Sequence, residues 1–373
     1  MSVTAAGLPN RAVSRLATAS EARLMWLRFC RHKVAMASLV LTILIYLVAL
    51  FAEPVAPFDP DKANARLVFH PPQMLHIFDG SVIPRPYVNA VRLTRDPDTL
   101  AVTYVPDRSR KVYLGFFVHG DPYKLWTVIP SDIHLFGPVN PRETAFLLGA
   151  DRLGRDMLSR IAYGARVSLS IGLVGVTCSL LLGVIIGGAS GYFGGRIDWV
   201  VQRLIEFIIS LPTIPIWLAL AAALPKHWSP VKTYFMITLI ISLIGWTELA
   251  RVVRGRFLAL RSDTFVTAAF LDGCSRPRII FRHMLPAMTS HIIASVTLAI
   301  PLMILAETAL SFLGLGLQPP AISWGALLEE AQNIHSIATA PWLLLPGVAV
   351  AITVLALNFL GDGLRDAADP HAH

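Results

Sequence analysis

The sequence predicts an all-α polytopic membrane protein with six transmembrane helices and a β-rich extracytoplasmic insertion between helices 1 and 2. Of the 373 residues, 54% are hydrophobic and only 15% are charged, whereas a soluble domain carries about a quarter charged residues. The apolar residues lie in uncharged runs long enough to cross the ~30 Å hydrocarbon core of a bilayer as helices. The polar segment 53–166 separates the first of these runs from the others.

Six runs supply the predicted spans. The first follows a polar stretch of 33 residues, which is longer than the basic region of a signal peptide, so an uncleaved anchor is favoured over a cleaved leader. Pro212 and Pro215 interrupt the third run, and Glu248 closes the fourth after fourteen residues. The runs are Val34–Phe51, Val167–Phe193, Phe207–Leu224, Tyr234–Thr247, Ile292–Leu317 and Pro341–Leu360.

Lysine and arginine are unevenly distributed among the connections. Six lie in residues 1–33 and seven in residues 251–288, whereas 318–340 contains none. The positive-inside rule therefore places both termini and the 251–288 loop in the cytoplasm, and alternation places 53–166 outside. The formal charge of +8 is assigned to this topology rather than to binding of nucleic acid.

These observations divide the chain into five parts. The insertion contains β-branched and aromatic runs, Leu100–Val105 and Val112–Val118, which predict strands, and Asp151–Ala165 is interpreted as an interfacial helix at its end. The parts are a cytoplasmic tail 1–33, a transmembrane helix 34–52, the extracytoplasmic insertion 53–166, a five-helix core 167–361 that includes the cytoplasmic loop 251–288, and a cytoplasmic tail 362–373.

The sequence lacks the usual catalytic motifs. It has no His-Glu-x-x-His and no Gly-x-Ser-x-Gly, and none of its six lysines follows a glycine, which excludes a Gly-Lys-Ser/Thr phosphate loop. His371 and His373 are interpreted as solvated tail residues rather than metal ligands. The three cysteines do not predict a disulfide scaffold. A membrane-embedded enzyme is thereby disfavoured, and no cofactor or metal is expected on this chain.

The 251–288 loop is the most informative cytoplasmic segment. Ser262 or Asp263 can cap a helix that Gly273 ends in the left-handed conformation, and a second short helix begins at Ser275 and ends near Pro286. The first helix carries small residues, which allow it to seat in a cleft of another protein, and Ile279, Ile280 and Phe281 can anchor the hairpin on the membrane domain. An ordinary interfacial loop is the alternative interpretation.

Several motifs of the chain resemble those of a known family. Ala268-Ala269, Gly273 and His283-Met-Leu-Pro286 are similar to the Glu-Ala-Ala loop of ATP-binding-cassette (ABC) importer permeases. Leu148-Gly-Ala-Asp-Arg-Leu-Gly-Arg-Asp156, Ser159-Arg160, Tyr163-Gly-Ala-Arg166, Glu307-Thr-Ala-Leu-Ser-Phe-Leu-Gly-Leu-Gly316, Pro319-Pro320 and Ser323-Trp-Gly325 resemble the second permease of the dipeptide/oligopeptide/nickel transport family. Thr267 stands where that family usually has Glu, and the outer insertion is longer than in its short members.

The resemblance implies a type I ABC importer permease fold in the inner or plasma membrane of a bacterium or archaeon. It also implies a heterodimer with a second homologous permease, two ABC ATPase subunits that bind ATP and Mg, and an extracytoplasmic solute-binding protein. The chain itself is then non-catalytic. The residues implied for ATPase coupling are Thr267, Ala268, Ala269, Gly273, Arg278, Arg282, His283 and Pro286.

The residues leave alternatives for the role of Glu307 and for the transported substrate. Glu307 lies about fifteen residues into its span, where it is interpreted either as a polar group of the outer gate and translocation path or as a helix-packing hydrogen-bond partner. Import of di- or oligopeptides is preferred over import of sugars or nickel chelates. A secondary transporter or channel is the alternative class, although the expected inverted repeat is not evident.

Overall fold

The computed structural model describes residues 21–79, 84–95, 102–225 and 227–368. Residues 1–20 of the predicted cytoplasmic tail, as well as His371 and His373, lie outside these ranges. In chain order the helices are α1 (Glu21–Arg31), α2 (Lys33–Leu50), α3 (Ala52–Val55), α4 (Met157–Phe193), α5 (Gly195–Ser210), α6 (Thr213–Ala222), α7 (Pro230–Leu260), α8 (Thr264–Leu271), α9 (Arg276–Arg278), α10 (Leu285–Ala287), α11 (Thr289–Phe312), α12 (Trp324–Glu329), α13 (Ile334–Thr339) and α14 (Leu345–Ala368). The strands are β1 (Tyr87–Arg95), β2 (Val102–Leu125) and β3 (Ile129–Pro138).

The membrane part consists of long apolar helices. In the part of the chain that the structure describes, five helical segments are long and apolar enough to span a bilayer, namely α2, α4, α7, α11 and Pro341–Ala368. A sixth candidate is the pair of α5 and α6, which is bent by 83°. Leu211 is extended at the bend because Pro212 disfavours a helical conformation for the residue before it. The predicted helical membrane class is confirmed, with the third span divided.

The predicted ends of the fourth and fifth spans were wrong. The fourth run is the middle of α7, which continues through Glu248 and ends at Leu260. Arg254 of its final turns pairs with Asp198 of α5, with 2.6 Å between Nη2 and Oδ2, so the charges beyond the apolar run do not end the helix. The loop predicted at 251–288 therefore begins at residue 261. The fifth run also ends early, because α11 stops at Phe312.

The predicted interfacial helix over Asp151–Ala165 is absent as a separate element. Residues 151–156 form a turn in which Asp151 Oδ1 accepts hydrogen bonds from the backbone N–H groups of Leu153 and Arg155. Gly154 has φ +71°, which a helix cannot contain. The helix begins only after Asp156, whose side chain accepts from the backbone N–H of Ser159, and it continues unbroken as α4.

The insertion contains one small antiparallel sheet in the order β1-β2-β3. Both predicted strands lie in the single 24-residue strand β2, although Leu100 and Ala101 are outside the described residues. The first half of β2 pairs with β1 and the second half with β3. Among the described residues, the predicted β-rich character is limited to this three-stranded sheet.

Glycines allow α4 and α7 to pack closely. A Cβ atom on Gly187 would overlap the carbonyl oxygen of Ala250, and one on Gly183 would lie 2.8 Å from Leu249 Cβ. Only a residue without a side chain permits this approach of two helix backbones. The pair forms the centre of the bundle, and α11 packs against both helices.

The two described ends of the chain meet at one end of the bundle. Phe29 of α1 and Ala35 of α2 are buried against Leu360 and Ala367 of α14. The N-terminal end of α11, which follows the 261–288 segment, lies at this same end because Leu298 contacts Gly361. We call this end the hairpin face and the opposite end, which carries residues 51–156, the insertion face.

Candidate docking site

The first helix of the hairpin, α8, has well-defined ends. Asp263 occupies its N-cap position and Gly273 follows its C-terminus with φ +74°, the left-handed conformation predicted for it. Gly273 N–H donates to the carbonyl of Phe270, and Cys274 N–H donates to that of Ala269. These two bonds form a Schellman motif, which satisfies the last carbonyls of the helix and fixes the direction of the following chain.

The second arm of the hairpin begins at Ser275 and is helical to Ala287. Pro277 lies in its first turn, where a missing N–H costs nothing. The middle of the arm, Ile279–Met284, is a π-helix. This irregular geometry turns Ile279 and Met284 into the protein, where both are at most 1% exposed.

A buried cluster fixes the hairpin on the helix bundle. Val266 and Ala269 of α8 form this cluster with Ile279 and Met284 of the second arm and with residues near the end of α7. Because the cluster contains residues of the hairpin, of α7 and of the start of α11, the hairpin and these helices form one packed unit. Its buried members are Val253, Phe257, Val266, Ala269, Ile279, Met284 and Met288.

The structure divides the two central alanines between opposite faces. Ala269 is 6% exposed and belongs to the buried cluster, whereas Ala268 and Thr267 are exposed. Ala269 therefore packs against its own chain, and its predicted place on a surface for another protein is wrong. Val266 and Ala269 are three residues apart, which places them on one helix face, and Ala268 lies on the opposite face.

The other predicted residues of this site lie around the exposed surface. Arg278, Arg282 and Pro286 are exposed, and His283 is half-buried. Phe281, predicted as an anchor, is 64% exposed and does not belong to the buried cluster, while Ile279 and Ile280 do pack against it.

Sequence reasoning missed three exposed apolar side chains of α8. Phe265, Phe270 and Leu271 are 40%, 64% and 78% exposed. Their spacing gave no periodic signal, because a short helix with apolar residues on both faces has a uniform pattern. Phe265 and Leu271 are each three residues from Ala268 and flank it on the helix surface, where Thr264 and Thr267 are also exposed. A small residue between two large apolar side chains suits insertion into a cleft of another protein.

A cavity of about 340 Å³ opens beside α8. Its walls include Tyr192 and Phe193 at the end of α4, Thr267, Arg261 and Arg276. The Arg276 guanidinium lies 5.9 Å from the centre of the Phe193 ring. Arginine stacks favourably on aromatic rings, so this contact connects the hairpin to α4.

Glu307 lies far from the hairpin, in a buried cluster of hydrogen bonds. The residue is 0% exposed, and its carboxylate accepts from Ser168 Oγ of α4 at 3.0 Å and from Ser311 Oγ of α11 at 2.8 Å. Ser168 Oγ accepts in turn from the backbone N–H of Trp324 at 3.1 Å. Glu307 thus joins α4, α11 and α12, which favours the helix-packing interpretation over the outer-gate interpretation.

The motif around Asp156 forms a second polar cluster, at the insertion face. Asp156 Oδ2 accepts from Ser159 Oγ at 2.6 Å, and its Oδ1 is buried without a hydrogen-bond partner. Burial, together with the nearby Asp151 charge, raises the pKa of the Asp156 carboxyl to about 6. Arg160 is 4% exposed and donates to the carbonyl of Pro60 at 2.9 Å. This cluster attaches the insertion to α4.

The fold and the hairpin together define a multi-pass helical membrane protein. A sequence model described as a binding-protein-dependent transport system inner membrane component matches residues 179–373. A second, described as the N-terminal transmembrane domain of oligopeptide transport permease C, matches residues 20–72.

Named relatives agree with these matches. The chain is 37% identical over 246 residues to the oligopeptide transport system permease protein OppC of Haemophilus influenzae, covering 66% of this chain and 76% of that protein. It is 38% identical to a putative peptide permease protein of Brucella ovis, covering 67% and 82%, and 39% identical to the dipeptide transport system permease protein DppC of Bacillus subtilis, covering 60% and 68%. The chain belongs to the binding-protein-dependent transport permeases, and its predicted resemblance to the dipeptide/oligopeptide members of the ABC transporters is confirmed.

Proposed function

We propose that this chain is one of two permease subunits of an ATP-driven importer that takes up dipeptides or oligopeptides delivered by an extracytoplasmic solute-binding protein. The second permease is a homologue of this chain, and two ATPase subunits bind and hydrolyse ATP with Mg. Three relatives whose names refer to peptide, oligopeptide or dipeptide transport support the substrate class. The chain contributes to the translocation path and couples it to the ATPase subunits, which hydrolyse the ATP.

The observation that carries this proposal is the hairpin with its two faces. The buried face of α8 is part of the packed unit with α7 and α11, while the opposite face presents Ala268 between exposed apolar side chains. A displacement of an ATPase seated on the exposed face is therefore transmitted to two spans. This is the rigid-body motion that alternating access requires.

We place the hairpin face in the cytoplasm, with both termini on that side. The proximity of α1 and α14 to the start of α11 supports a common side for the termini and the hairpin. The exposed Arg278 and Arg282 support the cytoplasmic side, because positive charge accumulates there.

The coupling role is tested with Ala268→Arg, and Ala259→Arg serves as the matched control. Both alanines are exposed in helices, but only Ala268 lies on the docking face of α8. An arginine at 268 introduces bulk and charge into a packed interface, which costs about 1–3 kcal/mol or more. We expect at least tenfold weaker stimulation of ATP hydrolysis by loaded binding protein in proteoliposomes, whereas the control stays near wild type.

Two further results complete this test. Ala269→Arg cannot serve as a test of docking, because it would place a charge in the chain's own buried cluster. Thr267→Ala should have little effect, because Thr267 is exposed and the acid usual for the family is missing there. Transport at the wild-type rate by the assembled Ala268→Arg transporter would refute the docking role.

The substrate class is tested with the complete transporter and its binding protein in proteoliposomes. We expect ATP-dependent uptake of labelled dipeptides or oligopeptides, with unlabelled peptide as competitor and sugars and nickel chelates as controls. Uptake of a sugar or a nickel chelate without uptake of peptides would contradict the assignment.

A further inference from the structure

The turn between β2 and β3 exposes a group of apolar side chains. Trp126, Val128 and Ile129 are 46%, 76% and 52% exposed. Trp126 and Thr127 have positive φ angles of 50° and 65°, which give the turn its tight shape.

Contacts of Trp126 locate the turn beside the end of α2. Its indole N–H donates to the carbonyl of Leu50, the last residue of α2, at 2.9 Å. Its ring centre lies 5.7 Å from that of Phe51. The backbone N–H of Trp126 also donates to Glu53 Oε1 at 3.3 Å. The turn is therefore level with the residue at which an apolar span leaves the bilayer.

The contacts of residues 49–58 with α4 show the direction in which the β2–β3 hairpin points. Arg166 Nε donates to the carbonyl of Ala49 at 3.0 Å, and Ser159 Oγ accepts from the backbone N–H of Phe58 at 3.1 Å. Arg166 and Ser159 are seven residues apart on α4, so Phe58 lies about 10 Å further from the membrane than Ala49. His134 of β3 contacts the carbonyl of Ala56, between these two levels. The β2–β3 hairpin thus extends toward the membrane and ends at it.

We propose that the turn Trp126–Ile129 inserts into the interfacial layer of the lipid leaflet that surrounds the end of α2. Leu47 and Leu50 of α2 are 44% and 49% exposed, so the apolar surface of the turn continues the lipid-facing surface of the span. Tryptophan favours this layer because its ring is apolar while its N–H needs a polar partner. Lys124, exposed just before the turn, can direct its ammonium to lipid phosphates.

Such an insertion adds lipid contacts to the protein contacts that already attach the sheet to the membrane domain. These protein contacts include the bond of Trp126 to Leu50 and the ion pair of Glu53 with Arg166. The proposal depends on α2 being a membrane span, which holds whatever solute the transporter carries. Its failure would therefore leave the proposed function intact.

The experiment uses the full chain in lipid nanodiscs, with Cys30, Cys178 and Cys274 replaced by serine. An environment-sensitive fluorophore is attached at Val128→Cys or at the control Phe116→Cys. Phe116 is 73% exposed, nearly the same as Val128, and pairs with Phe136, which is seven strand residues from Ile129. The control therefore lies roughly 20 Å further from the membrane.

We expect the label at 128 to be quenched by doxyl lipids roughly twofold or more above the label at 116, and to be protected from aqueous iodide. Equal iodide quenching at both positions would overturn the proposal. Protection from both iodide and doxyl lipids would also overturn it, because a protein surface would then cover the turn. Ile129→Cys provides the same readout if the Val128 variant does not fold.

Discussion

Asp156 is a buried carboxyl group whose ionisation opposes folding. The pKa of its carboxyl is about 6 in the folded chain, against 3.8 for the free group, and burial is the main cause. The folded state therefore binds more protons between pH 4 and 6, so stability falls as pH rises through this window. Above pH 6 the penalty is fully present, and below pH 4 it is absent.

Asp156→Asn should remove this penalty and keep the N-cap, because asparagine caps a helix as well as aspartate does. We expect its melting temperature in detergent to exceed that of wild type by a few degrees at pH 7.5, with a smaller difference at pH 4.5. Asp156→Ala is the control that loses the cap and about 1 kcal/mol. A difference independent of pH would show that the carboxyl does not titrate in this way.

Substitutions of Glu307 distinguish a role in helix packing from a role in the outer gate. Ser168 and Ser311 donate to different oxygens of Glu307, so Glu307→Gln keeps the shape and an acceptor for one hydroxyl, while its amide NH2 group can donate to the other. Glu307→Leu leaves both buried hydroxyls without this partner, at ~1–3 kcal/mol each. We expect near-normal transport by the Gln variant and a markedly lower melting temperature for the Leu variant. Loss of transport by a fully stable Gln variant would instead support a role in the translocation path.

At the scale of elements, the contact between α4 and α7 depends on glycine at particular positions. Gly187→Ala would place a Cβ against the carbonyl oxygen of Ala250, well inside van der Waals contact, whereas Gly255→Ala, on α7, meets nothing within 4 Å. We expect the first substitution to destabilise the protein by about 1–3 kcal/mol and the second to stabilise it by about 0.5–1 kcal/mol. Thermal unfolding in detergent measures the stability change of each variant. Equal changes for the two variants would contradict the close approach of α4 and α7.

At the scale of the whole molecule, the proposed orientation predicts which residues a membrane-impermeant maleimide reaches. Cys30 is exposed near the hairpin face, and the side chain of Phe116 is exposed in the insertion. In spheroplasts we expect labelling of a Phe116→Cys variant that lacks the three native cysteines. A chain that keeps Cys30 alone should be labelled only after permeabilisation. The reverse pattern would invert the topology.

The hairpin shows how far local sequence determines structure. Its caps and its left-handed Gly273 could be predicted because they depend on interactions within a few residues. The distinction between Ala268 and Ala269 could not, since adjacent small residues look equivalent until the position of α7 is known. The end of α7 was misplaced for a similar reason: Asp198, which pairs with Arg254, is 56 residues away in the chain.

The sequence by itself determined the membrane class, the apolar spans, the hairpin and the family, because hydrophobic length, turn residues and motifs are properties of short segments. Only the tertiary structure decided that Ala269 is buried while Ala268 is exposed, that Glu307 joins three helices, and that the turn at Trp126 meets the end of α2. Each of these depends on contacts between residues distant in sequence, and burial and hydrogen bonding there are set by how the helices and the sheet pack together.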